Sequence, residues 1–137
     1  MRQATARDID KHKYAQYLRK ASSFYQGMKK AEENEDWNLA ALNAIHCVIS
    51  SADAVTTFYL GQHSAGQRHE DVIALLGQTR LPGIEEKARQ ILDVLRLKTL
   101  VEYEPEEPTE NEARAMAKQA ERIFKWARDS LERQQTA

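Results

Sequence analysis

Residues 36–60 read DWNLAALNAIHCVISSADAVTTFYL and hold no Gly or Pro. Trp37, Leu39, Leu42, Ile45, Val48, Ile49, Val55, Phe58 and Leu60 fall around much of a helical circumference, with Asp36 placed as the N-cap. A rod that is apolar on most sides needs neighbours on most sides. The segment therefore predicts a central helix, and the flanking sequence must supply the elements that cover it.

Upstream, Tyr14, Tyr17, Leu18, Ala21, Tyr25 and Met28 share one face of a helix expected from about Asp8 to Asn34, which Gly27 weakens only locally. Downstream, Gly61 to Gly66 reads as a loop. A short helix is expected from about Gln67 to Leu76, with Val72, Leu75 and Leu76 on its buried edge, closed off by Gly77 and Pro82-Gly83. A fourth helix is expected from about Ile84 to Glu102, with Ile84, Ala88, Ile91, Leu92 and Leu95 facing the core and Val94, Leu97 and Val101 widening that face. The stretch from Glu102 to Glu112 has six Glu, two Pro and no base, so it reads as a solvated loop. Thr109 and Glu112 form a capping box, and the last helix then carries Ala113, Met116, Ala117, Ala120, Ile123, Phe124, Ala127 and Leu131. The prediction is an all-α, antiparallel up-and-down bundle of four long helices plus one short helix. It forms a single domain over residues 1–137, with its core at about 10–133 and frayed ends.

Composition narrows the function. Twenty Lys and Arg balance 21 Asp and Glu in 137 residues, for a net charge of −1, so no global field draws nucleic acid or an anionic membrane. The uninterrupted apolar runs are short, the opening Met1-Arg-Gln-Ala-Thr-Ala lacks a signal peptide's apolar stretch, and no membrane association is expected. The lone Cys47 makes neither an internal disulfide nor a cysteine metal site, and a cytoplasmic protein is expected. Tetratricopeptide periodicity, a Gly-x-Ser-x-Gly turn and a Gly-rich phosphate loop are all missing. His63 and His69 flank the loop beside Glu70 and Asp71, but no His-Glu-x-x-His or paired Glu-x-x-His pattern supports them, so neither metal nor cofactor is expected.

Two polar columns remain. On the second helix, His46, Ser50, Asp53 and Thr57 are spaced i, i+4, i+7, i+11. Either Ser50 and Thr57 bond back to helix carbonyls while a neighbouring helix satisfies His46, or the column faces a ligand. On the fourth helix, Arg89, Arg96 and Tyr103 are spaced i, i+7, i+14, with Asp93 between the arginines. Asp93 pairs with both arginines on a solvated face, or Arg96 offers a planar fork to phosphate with Tyr103 at the helix end. Lys118, Arg122 and Lys125 make a basic edge on the last helix, which a solvated face does by default, and Trp37 and Trp126 read as core or interface anchors.

The order of features resembles the HEPN family over about residues 10–133. The resemblance rests on Tyr17-Leu-Arg-Lys-Ala21, the apolar second helix, and His69-Glu-Asp-Val-Ile-Ala-Leu-Leu76. It rests further on Leu92-Asp-Val-Leu-Arg-Leu-Lys-Thr-Leu-Val-Glu-Tyr103, the acidic turn, and Thr109-Glu-Asn-Glu-Ala113 opening a last helix with Ala120 and Phe124. It implies a helical bundle that often dimerises, with the functional groove at the dimer interface. Many relatives are metal-independent ribonucleases whose motif is an Arg followed, after four to six intervening residues, by a His. Here Arg96 matches the arginine, Leu97 fills the place of a polar residue, and Val101, Glu102 and Tyr103 cover the histidine window without a histidine. Imidazole exchanges protons near pH 7 and an ordinary tyrosine does not, so Tyr103 is not a catalytic base.

The resulting expectation is a non-catalytic, dimeric module that binds a protein partner, RNA or a nucleotide phosphate. Arg96 and Lys98 meet the phosphate or acid, and Tyr103, His46 and Asp53 line the groove. The rivals are a divergent toxin-like ribonuclease in which His46 or His69 works with Arg96, and a purely structural partner of a nucleotidyltransferase-like protein. The resemblance also implies that a tyrosine near the motif receives nucleotidyl groups in some such toxin–antitoxin pairs.

Overall fold

A computed structural model of the chain describes residues 6–65 and 69–136. The described elements are β1 (Ala6–Asp8), a 3₁₀ turn (Lys11–Lys13), α1 (Tyr14–Glu33), α2 (Trp37–Leu60), β2 (Gln62–Ser64), α3 (His69–Gln78), α4 (Ile84–Leu95), α5 (Lys98–Tyr103) and α6 (Glu110–Thr136). The fold is an all-α bundle. The opening residues Met1 to Thr5 and the expected start of the short helix at Gln67 lie outside the described residues.

α2 is the axis, as its sequence requires. Ala40, Ala41, Ala44, Ile45, Cys47, Val48 and Val55 are fully buried against the other helices, and the small alanine side chains let neighbouring backbones approach closely. Asp36 caps it, its Oδ1 accepting the Leu39 N–H at 3.2 Å. Gly61 ends it at φ 65°, a left-handed conformation suited to glycine, and its N–H donates to the Thr57 carbonyl at 2.9 Å. By length and composition α2 is apolar enough to cross a membrane, contrary to the short-run reading of the sequence. Two thirds of that window, 67%, is buried inside the protein, as expected of a core helix. Burial pushes the Cys47 thiol up to about 12.

Two features depart from expectation. The first helix begins at Tyr14 and not at Asp8. Ala6–Asp8 instead pair antiparallel with Gln62–Ser64, in the register Ala6↔Ser64, Arg7↔His63 and Asp8↔Gln62. Gln62 Nε2 donates to Asp8 Oδ1 at 3.1 Å and the Ile9 N–H to the Gly61 carbonyl at 2.9 Å, so this ribbon ties the N-terminal segment to the end of α2. Asp10 then caps the 3₁₀ turn by accepting the His12 N–H at 2.9 Å.

The second departure is that the expected helix from Ile84 to Glu102 is broken at Arg96-Leu97 into α4 and α5. The Leu97 N–H donates to the Val94 carbonyl at 3.0 Å, one residue closer than an α-helix allows. The buried face of α4, made by Ile84, Ala88, Ile91, Val94 and Leu95, is followed past the break by Val101, while Leu97 and Leu100 lie in solvent.

The capping box forms as its sequence predicts. The Thr109 N–H donates to Glu112 Oε1 at 2.9 Å and the Glu112 N–H to Thr109 Oγ1 at 3.2 Å. These bonds hold the Glu112 carboxyl below its ordinary value. All eight apolar positions expected on this last helix are buried. Thr109→Ala is expected to lower the melting temperature by about 2–8 °C, because a helix end loses one of its side-chain acceptors. Thermal unfolding followed by circular dichroism measures this.

Candidate functional site

His46 lies on the side of α2 that faces both α1 and α5. Its ring stacks on Phe24 of α1, with centroids 5.2 Å apart and planes at 29°. Its Nε2 lies 3.4 Å from Glu102 Oε1, and Lys98 Nζ lies 3.6 Å from the other oxygen of the same carboxylate. Two of the expected site residues therefore meet through a third that sequence reading did not single out. Glu102 is the more buried partner and His46 is half-buried. The i, i+4 spacing of Lys98 and Glu102 is a local signal that could have marked this carboxylate, but nothing local marks its reach to α2.

Two turns further along the same stripe, Asp53 sits in a separate group. Lys20 and Tyr17 of α1 face it, and burial raises its carboxyl to about 7 even though the Lys20 charge pulls the other way. Burial, and then the charge of Asp53, push the Tyr17 phenol up as well. The His63 ring of β2 lies 5.9 Å from Tyr17, and Lys20 Nζ stands 6.0 Å over the same ring. Tyr17, Lys20 and His63 were not among the expected site residues. Their meeting depends on the β1–β2 ribbon fixing the chain just after α2.

The other members of the α2 column behave differently from expectation. Thr57 Oγ1 is fully buried with no hydrogen-bond partner among the described residues, and it is Thr56 whose hydroxyl leans back to a helix carbonyl, that of Asp53 at 3.4 Å.

Arg96 is exposed at the α4–α5 junction, and Tyr103 is 73% exposed at the end of α5. The break at Arg96-Leu97 means that Arg89, Arg96 and Tyr103 do not share one straight helical strip. Among the described residues, no ion pair joins Asp93 to Arg89 or Arg96, all of which reach into solvent or its edge. No hydrogen bond, ion pair or ring contact joins Arg96 or Tyr103 to His46 or Asp53 there either. His69 opens α3.

Two adjoining clefts lie elsewhere, between the second half of α1 and the first half of α6. One, of about 380 Å³, is lined by Lys29, Glu32, Glu33, Glu35 and Arg114, and the other, of about 190 Å³, shares Lys29, Glu32 and Arg114. Several of their charges pair with one another, Lys29 with Glu32 at 3.8 Å among them. Arg114 lies 2.9 Å from Glu110 and 3.8 Å from Glu32 with its guanidinium 4.7 Å over the Trp37 ring, and the Tyr25 hydroxyl donates to Glu121 at 2.7 Å. Trp37 is thus an anchor for Arg114 and not an open platform. Of the basic edge on α6, Lys125 is taken up by Glu121 at 3.4 Å.

A model of the HEPN domain family matches residues 14–130, which takes in α1 through nearly all of α6. No curated protein matches the sequence.

Proposed function

The chain belongs to the HEPN family, and from that premise we propose that it is a non-catalytic, homodimeric module that binds a protein partner through the α4–α5 segment. The observation that carries this reading is Glu102. It stands where the relatives' motif places an imidazole, and it holds the His46 imidazole at 3.4 Å while Phe24 stacks against the ring. A carboxylate on one ring nitrogen leaves the other able to exchange a proton, so the pairing with Glu102 does not by itself silence His46. What supports the non-catalytic reading is that, among the described residues, no contact brings His46 to the exposed Arg96.

Arg96 and Lys98 are the cations at the α4–α5 junction and on α5, and Tyr103 is the most exposed large apolar side chain there. His46 and Asp53 support it from α2. Leu97, Leu100 and Tyr103 lie open together, which favours a protein over RNA or a nucleotide phosphate as the occupant. A nucleotidyltransferase-type protein is the partner class that the family relationship suggests. Dimerisation rests on the family relationship, and a cytoplasmic setting suits the lone, buried thiol of Cys47.

Arg96→Ala is expected to leave the melting temperature nearly unchanged, since surface substitutions shift stability by about 0.5 kcal/mol or less. The same substitution is expected to cut recovery of a stoichiometric protein partner from the native cell at least tenfold. A variant that unfolds would make Arg96 structural. A wild-type chain that sediments as a monomer at micromolar concentration would remove the dimer from the reading.

A further inference from the structure

Among the described residues four large apolar side chains are exposed. Three of them, Leu97 at 37%, Leu100 at 41% and Tyr103 at 73%, fall within seven residues on and beside α5. The fourth, Leu39, stands alone near the start of α2. Single exposed leucines are ordinary, but a contiguous row beside a charged rim is the usual form of a contact surface.

The rim here has one sign. From Thr99 to Ala113 the chain has six Glu and no base. Three of these carboxylates are occupied: Glu102 by His46 and Lys98, Glu110 by Arg114, and Glu112 by the Thr109 capping box. Glu104, Glu106 and Glu107 are exposed and have no ion pair or hydrogen bond among the described residues. Pro105 and Pro108 bracket the latter two, so the turn that presents them is stiff. Three like charges held together by a stiff turn repel one another, and a cationic ligand relieves that repulsion.

We infer that α5 and the acidic turn after it dock a cationic amphipathic segment of a partner protein. Its apolar side chains rest on Leu97, Leu100 and Tyr103, and its lysines or arginines face Glu104, Glu106 and Glu107. The inference rests on the reading of this segment as a protein-binding site and names the chemistry of what it takes. A second copy of the chain laid on this row fits less well, because each copy brings the same three unneutralised carboxylates there, beside the single guanidinium of Arg96 at the end of the row. RNA is disfavoured by the same three charges. Arg96 at the other end of the row gives the docking a polarity: the basic end of the incoming segment lies over the turn and any acidic end lies toward Arg96. A surface of this size makes a weak, transient contact.

The test uses the full chain and two fluorescein-labelled 14-residue helical peptides, one built of Leu and Lys and the other of Leu and Glu with the same apolar pattern. The Leu/Lys peptide is expected to bind, to shift the amide resonances of residues 97–107, and to bind more weakly as salt rises. Leu100→Ser is expected to raise its Kd at least tenfold. Glu104→Gln, Glu106→Gln and Glu107→Gln together should do the same and flatten the salt dependence, and Lys118→Ala on α6 should change neither. Circular dichroism checks that each variant is folded, which the exposure of all five positions favours.

Equal binding of the Leu/Glu peptide, shifts confined to other helices, or variants within twofold of wild type would overturn the inference. So would a peptide excluded by self-association that Leu100→Ser abolishes, which would make a second copy the occupant, or RNA that shifts the α5 amides where the peptide does not. A monomeric chain, or one that cleaves RNA, would sink the dimeric, non-catalytic reading while leaving the peptide result intact, so the two failures are separable.

Discussion

Ile45→Ala is expected to destabilise the fold by about 2–5 kcal/mol, the range seen when a fully packed aliphatic side chain is cut back to its Cβ. Ile45 is wholly inaccessible and sits midway along α2, among Ala41, Ala44 and Val48, which are too small to relax into the space it leaves. Ile45→Val should cost about 0.5–1.5 kcal/mol, because it removes one methylene group. Urea denaturation of the three proteins gives the comparison. A loss below about 1 kcal/mol for Ile45→Ala would mean that α2 is not the axis of the core.

Asp53→Asn should act in the opposite sense, and only above acid pH. The native carboxyl is raised to about 7 by burial, against an ordinary value of 3.8. Between those values the native state holds a proton that the unfolded chain has lost, so stability falls as pH rises through this window. Below about pH 4 both states are protonated and the group's contribution is complete, whereas above pH 7 the ionised, half-buried carboxylate bears its full desolvation cost. The asparagine variant is therefore expected to exceed wild type by on the order of 3 kcal/mol at pH 8, with the gap closing toward pH 4. Lys20 and the residual solvent contact of Asp53 reduce the gap. A difference that stays constant from pH 4 to 8 would contradict a proton held on Asp53 in the folded protein.

What could be read from the sequence was what neighbouring residues decide. The Thr109–Glu112 box, the Asp36 cap and the buried face of α6 each depend on spacings within a few residues, and each stands where expected. The β1–β2 ribbon was not legible. Three-residue strands are too short to show alternation, and their pairing joins Asp8 to Gln62 across the whole of α1 and α2. The break after Leu95 was hidden because Leu92, Val94, Leu97 and Val101 look like a widened helical face. Only packing against the rest of the bundle decides that Val101 is buried and Leu97 is not.

The candidate site divides in the same way. His46, Lys98 and Asp53 were recognisable as polar groups on apolar or central helices, since such positions carry a cost unless something satisfies them. Their partners Glu102, Phe24, Lys20 and Tyr17 come from other helices, and no spacing announces them. The absent motif histidine was visible at once. That Glu102, inside the histidine's own window, reaches back to His46 required coordinates.

The central claim is that the Arg96 segment binds without cleaving. Incubating the purified chain with end-labelled single-stranded RNA in EDTA at pH 7, beside an Arg96→Ala, His46→Ala variant, tests it most directly. Wild type and variant are expected to leave the RNA equally intact. Cleavage by wild type that the variant loses would contradict the account.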